Sequence, residues 1–181
     1  MEDYVFILDY LPQGHPERKS FKKEPISYGV GEKEFKLLEL TPHPDSVINI
    51  GDRVYIGKDL DKRDKILHVK RRINYSDLTS AAQSELPFIL EDLIKRDQDK
   101  FIRFFNEAQA ISTRLHMLEL LPGLGKKSMW HILDERKSKS FTSFEDLEER
   151  VSSLHQPVKL LVKRIIQEME DNSQKYRLFI K

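Results

Sequence analysis

The run Leu118-Glu119-Leu120-Leu121-Pro122-Gly123-Leu124-Gly125-Lys126-Lys127-Ser128-Met129-Trp130-His131-Ile132-Leu133 constrains this chain more than any other stretch. Apolar residues at helical spacing lead into Pro-Gly-Leu-Gly, and a basic amphipathic segment leads out. The pattern predicts two helices joined by a tight hairpin. The first should end near Leu121, because the residue before a proline is pushed out of the α region. Gly123 and Gly125 permit backbone angles that other residues resist, and Leu124 between them is placed to plug the gap between the helices. Gly125 has no Cβ, so a phosphate can approach the free N–H groups that open the second helix, at the positive end of its dipole. Lys126 and Lys127 stand at that same end, where cations oppose the dipole. An approaching phosphodiester accounts for them better than helix stability does. A bare corner between helices is the plainer reading of such a turn, and the two lysines weigh against it.

The chain in front of the hairpin has a different period. Tyr4 to Tyr10 is β-branched, aromatic and apolar, and predicts a buried strand. Pro25 to Val30 and Glu34 to Leu40 form a second strand region, with Gly29 and Gly31 as a bend or bulge. Val47 to Gly57 predicts a strand behind a turn, and Ile66 to Ile73 another. A basic loop with Arg18, Lys19, Lys22 and Lys23 separates the first two regions. Four or five short strands with glycine bends suggest a small closed barrel of the OB type. After Tyr75 the pattern becomes helical to about Glu170. Ser76 or Thr79 can cap a first helix, and Ser84 with Pro87 resembles an N-cap region for Phe88 to Arg96. Further apolar faces begin at Phe101 and at Leu115. Thr142 or Ser143 caps a helix that ends at Val151 and Leu154. His155-Gln156-Pro157 then turns into a last helix from Val158 to Met169. This second helix–turn–helix lacks the glycines of the first and reads as a structural, degenerate repeat. Tyr176 to Ile180 is rich in β formers and is expected to return to the barrel as a strand. The expected fold is therefore α+β: an OB-like barrel over 1–76, a helical domain with the hairpin over 77–172, and a terminal strand over 173–181.

Composition narrows the chemistry. Lysine and arginine number 31 against 30 aspartate and glutamate, a net charge of +1, so overall charge alone predicts no polyanionic partner. The distribution is more telling. Residues 58–72 hold Lys58, Lys62, Arg63, Lys65, Lys70, Arg71 and Arg72 against Asp59, Asp61 and Asp64. Residues 126–139 hold five cations against Asp134 and Glu135, while acid gathers at 145–149 and 168–171. Such separation suits a protein that holds a polyanion on one side, although each cluster alone reads as a solvated face. Tyr28, Phe35 and Tyr55 could stack bases on a barrel face, though strand aromatics more often serve the core. The absence of cysteine excludes disulfides, thiolate metal sites and a Cys nucleophile. No pair among the six histidines has metal-ligand spacing on one helix face. No P-loop or nucleophile elbow is present. The expectation is a protein with neither catalysis nor cofactor, with no membrane partner, placed in the cytoplasm.

Several segments carry a resemblance: Leu78-Thr79-Ser80-Ala81-Ala82, Phe104-Phe105-Asn106-Glu107-Ala108-Gln109, Thr113-Arg114-Leu115-His116-Met117 running on into the hairpin, and Ser143-Phe144-Glu145-Asp146. Through them the chain resembles an archaeal family of uncharacterised, predicted nucleic-acid-binding proteins that join an OB-like barrel to a helix-hairpin-helix domain. The resemblance implies RNA or DNA binding without known catalysis, and with the barrel it favours RNA and a setting among ribosome or translation components. The residues expected to carry binding are Gly123, Leu124, Gly125, Lys126 and Lys127 of the hairpin, with Lys62, Arg63, Lys65, Lys70, Arg71 and Arg72 on a basic barrel surface. A DNA-repair or recombination accessory and a protein-interaction scaffold are the alternatives.

Overall fold

The computed structural model describes residues 2–16 and 23–180. The expected basic loop therefore falls largely outside the described residues, including Arg18, Lys19 and Lys22. The fold is α+β. One compact unit takes in the chain as far as Ile89 together with the stretch from Glu168 on; the other is Leu90–Gln167.

In the first unit an antiparallel sheet is built from β1 (Tyr4–Leu11), β2 (Ile26–Gly31), β3 (Leu37–Pro42), β4 (Arg53–Tyr55) and β5 (Ile66–Arg72), in the order β4-β1-β2-β3-β5. Val5, Phe6, Ile7 and Leu8 are all buried, so β1 is covered on both faces. Side chains alternate across a strand, and Val5 and Ile7 enter one apolar cluster with Leu38, Leu40, Ile48, Val54, Ile56 and Ile66. A register shift between Ile7 and Asp9 changes the phase, and Tyr10 rejoins the cluster three residues on from Ile7. Each buried aliphatic side chain contributes about 1.5–3 kcal/mol.

Val54 of β4 and Ile66 of β5 meet in that cluster although their strands are the opposite edges of the sheet. The sheet is thus curled into a half-barrel. The expected closed barrel is corrected in this respect: its edges are linked through side chains and loop backbone instead of a ladder. Arg63 donates to the carbonyls of Gly57 and Ile56, at 2.8 Å each. The Lys65 ammonium lies 2.6 Å from Asp52, and the Lys65 carbonyl accepts from the His43 N–H and the Ser46 hydroxyl.

Helix α1 (Ser80–Arg96) opens at Thr79, whose hydroxyl accepts the Ala82 N–H at 3.1 Å and donates to buried Asp9 at 2.5 Å. This bond ties the start of the helix to the end of β1. The first turns of α1 accordingly belong with the sheet, and the expected boundary at residue 76 moves to within α1. The helix also runs unbroken through Pro87. Ser84 caps nothing; its hydroxyl donates back to the Ser80 carbonyl at 2.9 Å, inside the helix.

The C-terminal stretch differs from expectation as well. Residues 173–180 form no strand. The N–H groups of Leu178, Phe179 and Ile180 converge on the buried Glu168 carboxylate at 2.7, 3.0 and 3.0 Å. These amides end on a side-chain carboxylate instead of a sheet edge, so the expected return of this stretch to the barrel as a strand is corrected.

The second unit holds α2 (Gln98–Glu107), a small hairpin of β6 (Ala110–Ser112) and β7 (Leu115–His116), α3 (Lys126–Ser138), α4 (Phe144–Arg150) and α5 (Pro157–Glu170), the last reaching past the unit's end. Asn106 on α2 clamps Phe141 by taking its N–H and donating to its carbonyl, at 2.8 and 2.9 Å. Arg150 on α4 lies over the Phe141 ring at 4.5 Å and donates to the carbonyls of Glu135 and Lys139, which fixes the end of α3. Ser143 caps α4 by accepting the Asp146 N–H at 3.0 Å. The turn from α4 to α5 carries a left-handed Gln156, φ 51°, whose N–H donates to the Glu148 carboxylate at 2.7 Å. Among the described residues no helix is long and apolar enough to cross a membrane.

Candidate nucleic-acid interface

The segment before the hairpin is not the expected amphipathic helix. His116 ends β7, and its Nδ1 accepts the Leu118 N–H at 3.1 Å while its own N–H donates to Glu119 at 2.8 Å. This reciprocal pair starts a four-residue 3-10 turn, Met117–Leu120. Leu121 before Pro122 is extended, with φ −76° and ψ 117°. Only four residues lie between the cap and that extended position, too few for an α-helix of any length. Burial holds His116 below the ordinary histidine value, Arg136 adds to this, and Glu119 opposes it.

Beyond Pro122, Gly123 is left-handed, φ 95°, and a Cβ there would meet Leu160 at 3.2 Å. Leu124 is buried, as a plug must be, and its N–H donates to the Leu121 carbonyl at 3.0 Å. Gly125 is the N-cap of α3 at φ −83° and ψ 170°, a conformation open to any residue. No atom lies within 4 Å of where its Cβ would stand. Internal packing therefore requires glycine at 123 and places no demand at 125. The first intrahelical bond runs from Met129 N–H to the Gly125 carbonyl, with no side chain capping the helix. The N–H groups of Lys126, Lys127 and Ser128 are the unsatisfied donors that every helix start presents. Ser128 turns its hydroxyl inward, donating to the Ser153 carbonyl at 2.9 Å, which pins this helix start to the turn between α4 and α5. Gly125, Lys126 and Lys127 are exposed, and neither lysine forms an ion pair among the described residues.

The basic residues of 62–72 are differently placed. Lys62 pairs with Asp59 at 3.0 Å, which raises its ammonium above the ordinary lysine value. Arg63 and Lys65 brace the half-barrel as described. Partial burial works against the Asp52 charge, but the Lys65 ammonium and the Asn49 N–H outweigh it and hold that carboxyl below its usual range. Lys70 and Arg71 both turn to fully buried Glu39, at 3.5 and 3.0 Å. Arg72 lines a cavity of about 390 Å³ with Tyr75 and Arg177. Tyr28 and Phe35 are 0% and 2% exposed and belong to the core, and half-buried Tyr55 packs edge-on against Tyr4 at 5.2 Å. The stacking role considered for Tyr28 and Phe35 is thereby overturned. No cluster of metal-ligating side chains occurs among the described residues.

A second feature of the hairpin end escaped the motif reading. A groove of about 390 Å³ runs between the β6–β7 hairpin and α3, lined among others by Arg114, His116, Lys126 and Trp130. Trp130 is 59% exposed. It lies on the stripe Lys126, Trp130, Asp134, four residues apart at each step. An aromatic ring on an otherwise charged stripe was the signal available in the sequence.

The chain matches, over residues 1–181, the family described as protein of unknown function (DUF655). It is 49% identical over 181 residues to the uncharacterized protein MJ0038 of Methanocaldococcus jannaschii, an alignment spanning 99% of this chain and 80% of that protein. The crystal structure of Af1531 from Archaeoglobus fulgidus matches with a TM-score of 0.93 at 47% identity, over 99% of this chain and 100% of that one.

Proposed function

The chain belongs to the family described as protein of unknown function (DUF655), and from its own surface we propose that it is a non-enzymatic nucleic-acid-binding protein, with RNA favoured over DNA. It would grip the phosphate backbone through the start of α3, in the manner of a helix-hairpin-helix whose first helix is shortened to a 3-10 turn, in a chain whose other unit carries an OB-like half-barrel. A cytoplasmic setting among translation components follows from this reading. One observation carries it: the exposed start of α3 joins unsatisfied N–H groups, two unpaired lysines and a glycine that internal packing does not require. Helix dipole and donors favour an anion there, and backbone N–H groups hold phosphate without reading sequence. The turn between α4 and α5 lacks these properties. Pro157 removes a donor, and Glu148 already takes the Gln156 N–H. That supports a structural role for the degenerate repeat. Of the cations at 62–72, five are engaged with acids or carbonyls, so they stand as secondary contacts.

The test is a salt titration of binding to single-stranded RNA, single-stranded DNA and duplexes, with circular dichroism alongside. Lys126→Ala with Lys127→Ala should leave the fold intact, since both side chains are exposed and unpaired. It should weaken binding for all sequences alike and flatten the log–log salt slope by about 0.7 per lost contact on single strands and about 0.9 on duplex DNA. Gly125→Val should weaken binding further without unfolding the chain, since its backbone angles suit any residue and the space is open. Folded variants that bind with unchanged affinity and slope would reduce the hairpin to a corner. Competition among the three nucleic acids separates RNA from DNA. A wild-type protein that binds none of them leaves the scaffold reading.

A further inference from the structure

We propose that the groove beside Trp130 seats one unpaired base of a single-stranded nucleic acid, stacked on the indole. The inference rests on the phosphate-gripping role given above to the start of α3, and adds to it the strandedness of the ligand. Trp130 is the single tryptophan of the chain. It is also the one large hydrophobic side chain left exposed in the second unit among the described residues, the others lying at or before Phe88. Tryptophan gains more than most side chains from burial, so an indole held 59% in water is an unused surface.

Its surroundings decide what would cover it. Met129 and Leu133 extend the indole wall along α3, and Thr113 and Arg114 face it from the turn of the β6–β7 hairpin. That turn is held in shape by the Arg114 N–H donating to the Ser112 hydroxyl at 3.2 Å. Lys126 and exposed Arg114 bring positive charge to the groove. Its one carboxylate, Glu119, is engaged by the His116 N–H at 2.8 Å. A flat apolar face flanked by cations suits a base and its phosphates better than it suits an apolar helix. Lys126 and Trp130 are one turn apart on the same face, about 6 Å along the axis at 1.5 Å per residue. A strand whose phosphate rests at the helix start therefore brings its next base over the ring. A duplex keeps its base faces stacked inside and can offer none. The structure thus assigns the single strand as ligand, with stacking tolerant of sequence because every base has a π face.

The indole reports its own occupancy. Unaltered protein is titrated with a short fluorescein-labelled single-stranded RNA of mixed sequence and with the matched duplex, following fluorescein anisotropy and tryptophan emission together. The expected result is quenching of Trp130 that saturates with the anisotropy for the single strand, and little quenching by the duplex. Trp130→Ala, folded by circular dichroism, should lose about 5- to 150-fold in affinity for the single strand, the equivalent of one stacked base. Trp130→Phe should recover part of it. Single-strand binding with an unquenched indole and an unaffected alanine variant would overturn the stacking proposal and leave the phosphate grip standing; a protein partner would then be the better occupant. Equal quenching by the duplex would overturn it too. No binding of any nucleic acid would remove the underlying function itself, and that outcome shows in the anisotropy before any emission is read.

Discussion

Replacing Glu168 with glutamine keeps the side chain's shape and removes its charge, and the consequence can be worked from three distances. Oε1 of Glu168 accepts from Leu178 at 2.7 Å, and Oε2 accepts from Phe179 and Ile180 at 3.0 Å each. An amide has one acceptor oxygen. If that oxygen takes the place of Oε2, the new NH₂ group faces the Leu178 N–H, donor against donor. One hydrogen bond to a charged acceptor is then lost, about 1.5–3 kcal/mol. The other two weaken from charge-assisted to neutral, about 1 kcal/mol each. Relief from burying a carboxylate, at 0% exposure, offsets part of this sum. A net loss of about 2–4 kcal/mol in the docking of the tail is expected. Native-state hydrogen exchange reads it directly. The amides of residues 178–180 should exchange about 30- to 1,000-fold faster in Glu168→Gln, at 1.36 kcal/mol per decade, while amides of α2 to α4 keep their protection. Tail amides that exchange at the parent rate would refute the view that this carboxylate holds the tail.

Two further predictions concern the second unit. Neutral His116 holds the turn ahead of the hairpin, and burial depresses its pKa in the folded chain. Its contribution is therefore complete above the unfolded value near 6.5 and is lost as pH falls below it. Denaturant midpoints should drop between about pH 7.5 and about pH 5.5, and His116→Asn, a capping acceptor that does not titrate, should flatten that drop; equal slopes in the two proteins would count against it. Ser143→Ala removes the cap of α4 and should cost about 1 kcal/mol in denaturant unfolding, whereas Ser143→Asp should restore it.

The sheet was legible because its strands announce themselves locally. Tyr4–Leu11 is apolar on both faces, and turn residues separate each later strand from the next. Its closure was not legible, since nothing local says that Arg63 and Lys65 reach backbone carbonyls and Asp52 instead of solvent. The start of α3 could be read from Gly125 and the two lysines, whereas the segment before it could not. Leu115, Leu118 and Leu121 sit three apart, a spacing shared by α and 3-10 turns, and the His116–Glu119 pair selected the latter. Pro87 looked like a helix start because proline favours the first turn, yet Leu86, Ile89, Leu90 and Leu93 are buried on either side of it and hold α1 through that position. The tail has strand composition but found a carboxylate in place of a ladder.

The first unit is made of two stretches separated along the chain by Leu90–Gln167. During synthesis at about 5–20 residues per second, those 78 residues take roughly 4–16 s to appear. The hairpins of the sheet can form within about 1–10 μs each. For those seconds the sheet waits without Met169, Arg177 and Ile180, which share a cavity lining with Phe35 and Leu37. A product that stops anywhere in the second unit never gains them. Whatever packing Phe35 and Leu37 gain from those three residues is therefore the last to be added to the sheet, after the whole second unit has been made.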